Sequence, residues 1–402
     1  MAVGEVGFDF CVVAGARMVS TPCGIKSGGA HDLVMFEFAE GSVTAAVYTK
    51  NLFAAAPVNV GRSHLQQTSP RYFLINSGNA NAATGDEGIA DSLTCCKSLS
   101  QLAGVRTEEV IPFSTGVIGE RLPVSRITDA LQDMLPHLSE SNWLEAARGI
   151  MTTDTRPKIV SRQTEILGEE ITITGIAKGS GMIQPNMATM LSYIATDALL
   201  SQQTVQDMLV KATARSFNRI TVDSDTSTND SCMLTATGAS GVDIDKEPSA
   251  GGVFYEALEE LMIELAQGII RDAEGATKFV EVRVINGSVE KDCLNIAYAI
   301  ANSPLMKTAI FASDANWGRI VMAIGKADAD IDVSKLDVYI GDVQLMSKGG
   351  KASDYEESMG ANAMSGEEIS ITVDLNAGDF SETVWTSDLS HEYVRINAEY
   401  RT

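Results

Sequence analysis

The chain has 402 residues, of which 45% are hydrophobic and 21% charged, enough apolar material for a large buried core and, at roughly 100–200 residues per domain, for two or three domains. Thirty basic residues against 53 acidic ones leave a net charge of −23, which opposes nucleic-acid phosphates and anionic membrane surfaces as partners. No stretch reaches the roughly 18 uninterrupted apolar residues of a membrane-spanning helix.

The opening "MAVGEVGFDFCVVAG" has no basic residue ahead of its apolar run and carries Glu5 and Asp9, so it does not read as a secretory signal. Cys11, Cys23, Cys95, Cys96, Cys232 and Cys293 form no CxxC pair and no metal-ligand spacing, as expected of reduced, mostly buried thiols. Both features point to the cytoplasm. "HDLVMFEF", "TAAVYT" and "YFLINSG" read as strands, and "GDEGIADSLTCCKSLSQLAG" as a helix with Ile89, Leu93 and Cys96 on one face and Gly104 closing it. "EVIPFSTGVIGERLP" reads as a strand followed by a turn holding Thr115 and Gly116. In 177–198, a glycine-rich approach, Pro185 and small residues lead to Thr189 and a buried strand over 190–195.

Ser201 caps a predicted helix with Val205, Met208, Leu209 and Ala212 on one face, and "NRITVD" returns to strand. Phe254, Leu258, Leu261 and Leu265 mark a second amphipathic helix, followed by "RDAEGATK" and the strand "FVEVRV". From about residue 285 to 385 a helix, "GRIVMAIG", "LDVYIG" and "ISITVDL" suggest a smaller lobe, with 347–367 as a flexible loop. Alternating strands and helices indicate an α/β architecture.

Several chemistries fall away. "AKGSGM" is no phosphate loop, because Lys178 precedes the glycines and no GxxxxGK[ST] exists. "DSDTSTND" at Asp223 and Asp225 lacks the sixth-position glycine of a calcium loop and has Leu234 in place of its glutamate, which leaves a polar turn. His31, His64, His137 and His391 are dispersed, with neither zinc spacing nor an evident nucleophile partner. Thr189 leaves two readings open. It is either a β-branched residue opening a strand, or a nucleophile whose own α-amine serves as base once the preceding peptide bond is cut.

Seven stretches occur together across nearly the whole chain: "NSGNANAATG", "STGVIG", "MTTDTRPK", "KGSGMIQPNMATML", "DAEGATKF", "DANWGRIVMAIGK" and "YVRINAEYRT". In this order they resemble the ornithine acetyltransferases, also called glutamate N-acetyltransferases, of arginine biosynthesis. The resemblance implies a sandwich of two β-sheets flanked by helices, similar to N-terminal-nucleophile hydrolases, with a smaller second lobe. It also implies cleavage between Ala188 and Thr189 into chains 1–188 and 189–402, assembled as an α2β2 heterotetramer.

In the implied ping-pong reaction Thr189 takes acetyl from N-acetylornithine and passes it to glutamate. Thr115 and Gly116 form the oxyanion hole, and Thr152, Lys178, Thr189, Glu274, Asn397 and Thr402 bind substrate; no cofactor or metal is called for. Bifunctional members also use acetyl-CoA, a distinction the residues leave open. Around Asn316 to Arg319 the matching motif reads as structural, with Trp317 as a packing anchor. Leu52 departs from a position that is often basic in the family, and Gln184 lies at a variable site ahead of the nucleophile, which bears on acceptor range. Two alternatives stand beside this reading: a self-processed amidase or aminopeptidase on a similar scaffold, and a non-catalytic amino-acid-binding protein.

Overall fold

The computed structural model describes residues 2–4, 7–184 and 190–399. The chain runs β1 (Ala16–Thr21), β2 (Leu33–Phe38), β3 (Val43–Tyr48), α1 (Ala56–Leu65), β4 (Tyr72–Asn79), α2 (Gly85–Ala103) and β5 (Val110–Val117). It continues through α3 (Val124–Met134), α4 (Trp143–Gly149), β6 (Lys158–Ile166), β7 (Glu169–Lys178), β8 (Leu191–Thr196), α5 (Gln202–Arg215), β9 (Ile220–Thr221), β10 (Ser231–Ala236) and α6 (Pro248–Arg271). The remainder comprises β11 (Phe279–Gly287), α7 (Glu290–Ala301), α8 (Pro304–Phe311), α9 (Trp317–Gly325), β12 (Asp337–Ile340), β13 (Val343–Ser347) and β14 (Gly350–Lys351). It closes with α10 (Glu357–Ala363), β15 (Glu368–Asp374), β16 (Phe380–Ser387) and α11 (His391–Ala398).

Alternation in largely apolar strands builds the layers. In β2, Val34 and Phe36 face one core while Leu33 and Met35 face another, the pattern of a strand covered on both sides. The sheet β1-β2-β4-β5 thus packs face to face on the sheet β3-β10-β8-β7-β6. Between them lies an aromatic seam in which Phe113 meets Phe73 and Tyr193 edge-on, with ring centroids 5.3 and 5.0 Å apart. Outside the first sheet lie α2 and α3, through Cys95, Cys96, Leu99, Ile127 and Leu131; outside the second lie α5 and α6, through Leu209, Leu261 and Leu265. The order helix, sheet, sheet, helix is the expected α/β sandwich.

A third sheet, β14-β13-β12-β15-β11-β16-β9, has its own core between Val280 and Val384. Phe279 and Trp385 turn the other way and join the α6 core. The partly buried, bidentate Arg219–Glu382 pair, at 2.8 and 3.1 Å, holds the β9 segment on β16.

Three expectations need correction. Thr115 and Gly116 lie inside β5 instead of in a turn after it, because β4 continues alongside and pairs Ser77 with Thr115 and Gly78 with Gly116. Leu93 of α2 is exposed; the buried face runs through Gly88, Asp91, Ser92, Cys95, Cys96 and Leu99. The stretch 347–367 contains β14 and α10, and is pinned by buried Ala352, Tyr355 and Met364, which its polar, glycine-rich surroundings disguise.

Candidate active site

A cavity of about 270 Å³ opens where the two facing sheets meet α11, and it gathers Thr115, Gly116, Thr152, Lys178, Glu274 and Asn397. These residues span nearly 300 positions of sequence and come from β5, the turn after α4, the end of β7, the loop after α6, and α11. Ala188, Thr189 and Thr402 lie outside the described residues.

Lys178, the last residue of β7, organises one wall. Its Nζ donates to Thr115 Oγ1 at 2.9 Å and to Thr152 Oγ1 at 3.1 Å. A lysine ammonium only donates, so both hydroxyls must accept from it, which leaves each hydroxyl proton available to a further acceptor and one ammonium proton beyond these two bonds. Burial pulls the Lys178 amine below the ordinary lysine range and the charge of Lys158 works the same way, while Asp154, Asp230 and Glu274 oppose them. Gly116 completes this wall with φ of +135°, and a Cβ there would fall 2.3 Å from the Gly78 carbonyl carbon and 2.5 Å from the Asn79 nitrogen. Only glycine fits that approach of β5 to β4.

Behind the wall stands a buried ion triad. Asp154 accepts from the amides of Thr152 (2.9 Å) and Gly179 (2.8 Å) and from Lys158, whose Nζ also reaches Asp272 Oδ2 at 2.7 Å. Burial alone would raise the Asp154 carboxyl; the ammonium groups of Lys158 and Lys178 and the Thr152 amide hold it below the usual carboxylate range. Asp272 in turn accepts from the Thr155 amide at 3.0 Å, and its carbonyl takes the Ser180 hydroxyl at 2.7 Å. The triad therefore fixes the turn bearing Thr152 against the end of α6.

The opposite wall is Glu274, 8% exposed, with Asn397 Nδ2 donating to Oε2 at 2.7 Å. Gly181 makes room, since a Cβ there would stand 2.4 Å from Glu274 Oε2. The helix carrying Asn397 is capped by Ser390, which accepts from the Glu392 and Tyr393 amides and donates to Gly275 O at 2.6 Å. Tyr393 also donates to Asp223 Oδ2 at 3.0 Å, and the Asp223 carboxylate takes the amides of Met182 (2.7 Å) and Ile183 (2.8 Å). Asp223 is thus the hub of a polar turn that ties α11 to the chain ahead of residue 185.

Of the two departures from the family pattern, Leu52 is fully exposed, and Gln184 accepts from Asn302 Nδ2 at 2.9 Å. No histidine lines the cavity: His64 bonds Val110 O, His31 meets Ser20 Oγ and His391 packs on Phe311. Among the described residues no group of three His, Cys, Asp or Glu side chains could hold a metal ion, and no helix is long and apolar enough to cross a membrane. The sequence reading missed the triad, although Asp154 and Lys158 sit four apart in "MTTDTRPK" and Asp272 opens "DAEGATK". It also missed Asp230, a cavity-lining carboxyl 2% exposed whose Oδ2 has no hydrogen-bond partner among the described residues.

The model of the ArgJ family matches residues 17–402. The chain is 53% identical over 395 residues to an arginine biosynthesis bifunctional protein ArgJ of Pseudomonas syringae pv. tomato, covering 97% of each chain. A protein of the same description from Psychrobacter arcticus is 49% identical over 407 residues, with 100% of both chains covered. A solved structure of arginine biosynthesis bifunctional protein argJ from Bacillus halodurans, 36% identical, covers 51% of this chain and 96% of its own, with a TM-score of 0.48.

Proposed function

This chain belongs to the ArgJ family and is an acyltransferase of arginine biosynthesis, and on that premise we propose that it moves acetyl from N-acetylornithine to glutamate through an ester on Thr189, freed by cleavage after Ala188. Thr189 Oγ attacks the acetyl carbonyl, its proton passing to the residue's own α-amine. The new C–O bond forms, the amide C–N bond breaks, and ornithine leaves with that proton on its nitrogen. The glutamate α-amine then attacks the ester, takes the acetyl group as N-acetylglutamate, and Oγ recovers a proton.

The single observation that carries this reading is the pair of hydrogen bonds from Lys178 to Thr115 and Thr152. It turns the Thr115 hydroxyl proton outward as a donor which, with the Gly116 amide, suits a developing oxyanion. The third Lys178 proton suits a substrate carboxylate, with Thr152 beside it. Glu274, aligned by Asn397, suits the side-chain ammonium of ornithine. Thr402 joins the substrate-binding set by the family pattern. A second donor, acetyl-CoA, fits the relatives' description as bifunctional, and two cleaved pairs are expected to form an α2β2 heterotetramer.

The test is an assay of purified protein with N-acetylornithine and acetyl-CoA in parallel, glutamate being the common acceptor. Acetyl recovered on glutamate is expected. Free acetate alone would indicate an amidase, and no turnover with an uncut chain an amino-acid-binding protein. Thr189→Ala is expected to abolish both cleavage and transfer; persistence of either would refute the nucleophile assignment.

A further inference from the structure

The α-amine that serves Thr189 as base during acetyl transfer is, before cleavage, the nitrogen of a peptide bond, whose lone pair is delocalised and takes no proton. Maturation therefore requires a different proton acceptor. Among the described residues lining the cavity the ionisable side chains are Lys178, Glu274 and Asp230. Lys178 donates to two hydroxyls, and Glu274 is engaged by Asn397. Asp230 alone of the two carboxylates has a buried oxygen, Oδ2, without a hydrogen-bond partner among the described residues.

Its place in the sheet is equally specific. β10 runs parallel to β8 with Ser231 opposite Leu191, and the Ser231 amide donates to Met190 O at 2.9 Å. Asp230 is thus the residue entering β10 just where Met190, bonded directly to Thr189, enters β8. Burial pushes its carboxyl well above the usual range and so makes its anion a stronger base; the Ser227 hydroxyl, the Lys178 charge and the Ser227 amide favour the ionised form without cancelling that rise.

We propose that Asp230 carries the proton in self-cleavage, taking it from the Thr189 hydroxyl and returning it to the departing nitrogen. The proposal rests on the self-cleavage reading above. Oγ attacks the Ala188 carbonyl as Oδ2 takes the hydroxyl proton; the C–N bond then breaks as Oδ2 gives that proton to the nitrogen, which becomes the free α-amine. The resulting ester between Ala188 and Thr189 Oγ is hydrolysed by water, giving the Ala188 carboxylate and the Thr189 hydroxyl. Asp230 ends as it began. After cleavage the new amine takes over as base, so one site uses two bases in succession.

The experiment follows cleavage of freshly made full-length chain by denaturing electrophoresis for the wild type, Asp230→Asn and Asp230→Ala, with thermal melts of each. Loss of a positioned acid–base group is worth about 10²–10⁴-fold, so Asp230→Asn is expected to slow cleavage at least 100-fold while melting as a folded protein. Added formate, a small carboxylate able to occupy the vacated space, is expected to accelerate cleavage of Asp230→Ala in a concentration-dependent way. Cleavage of Asp230→Asn at the wild-type rate would overturn the proposal, as would a folded but slow Asp230→Ala that ignores formate, since a purely structural carboxyl is not replaced by a soluble one. A wild-type chain that stays whole yet transfers acetyl would instead refute the self-cleavage reading itself.

Discussion

Thr115 and Lys178 divide the work of one wall between a donor and the charge that orients it, and their replacements are expected to separate the two roles. Thr115→Ala removes one oxyanion donor and is expected to lower kcat by about 10²–10³-fold with little change in melting temperature, whereas Thr115→Ser keeps most of the rate; steady-state assays with N-acetylornithine check this. Lys158→Met leaves Asp154 and Asp272 buried without their cation, and a loss of about 3–5 kcal/mol in denaturant unfolding is expected. Lys307 provides a pH test. It is buried, donates to Thr386 Oγ1 and Ser387 O, and burial pulls its amine down to about 8 despite Asp388 and Asp223. The unfolded chain holds this proton up to the ordinary 10.5, so between about 8 and 10.5 the unfolded state binds more protons and stability rises with pH, by about 3 kcal/mol for a full titration. Below 8 that gain is absent. The difference in unfolding free energy between wild type and Lys307→Met is expected to change across this window; parallel curves would contradict it.

At the scale of elements, α11 is the hinge between fold and site. Its cap Ser390 holds the helix to Gly275, Tyr393 holds it to Asp223, and Asn397 reaches Glu274. Ser390→Ala is expected to cost about 1 kcal/mol as a lost cap and, by loosening Asn397, to raise KM more than it lowers kcat, which initial-rate measurements resolve. Elements with strong periodicity were legible from the sequence: β2, β4, α5 and α6 lie where their apolar patterns place them. The extension of β5 through Gly116 was not, since it depends on β4 continuing beside it. The order within 347–367 was equally hidden, because three buried side chains among many polar ones leave no period.

For the whole molecule, the two facing sheets and α11 converge on a cavity lined by residues from both proposed fragments: Thr115, Thr152 and Lys178 from 1–188, Glu274 and Asn397 from 189–402. Which of these residues meet was legible only through family motifs. No local pattern joins Lys158 to Asp272 across 114 positions, and Asp230 is buried through strand pairings made far along the chain. Because the fragments interlock through the triad and the sheet β3-β10-β8-β7-β6, they are expected to stay together after cleavage, and under the proposed α2β2 assembly to elute near twice the 42.8 kDa chain mass under native conditions. The most direct test of the central claim is intact-mass spectrometry of the mature, active protein under denaturing conditions. Two chains, ending at Ala188 and beginning at Thr189, are expected; full acetyl-transfer activity from a single unbroken chain would contradict the mechanism.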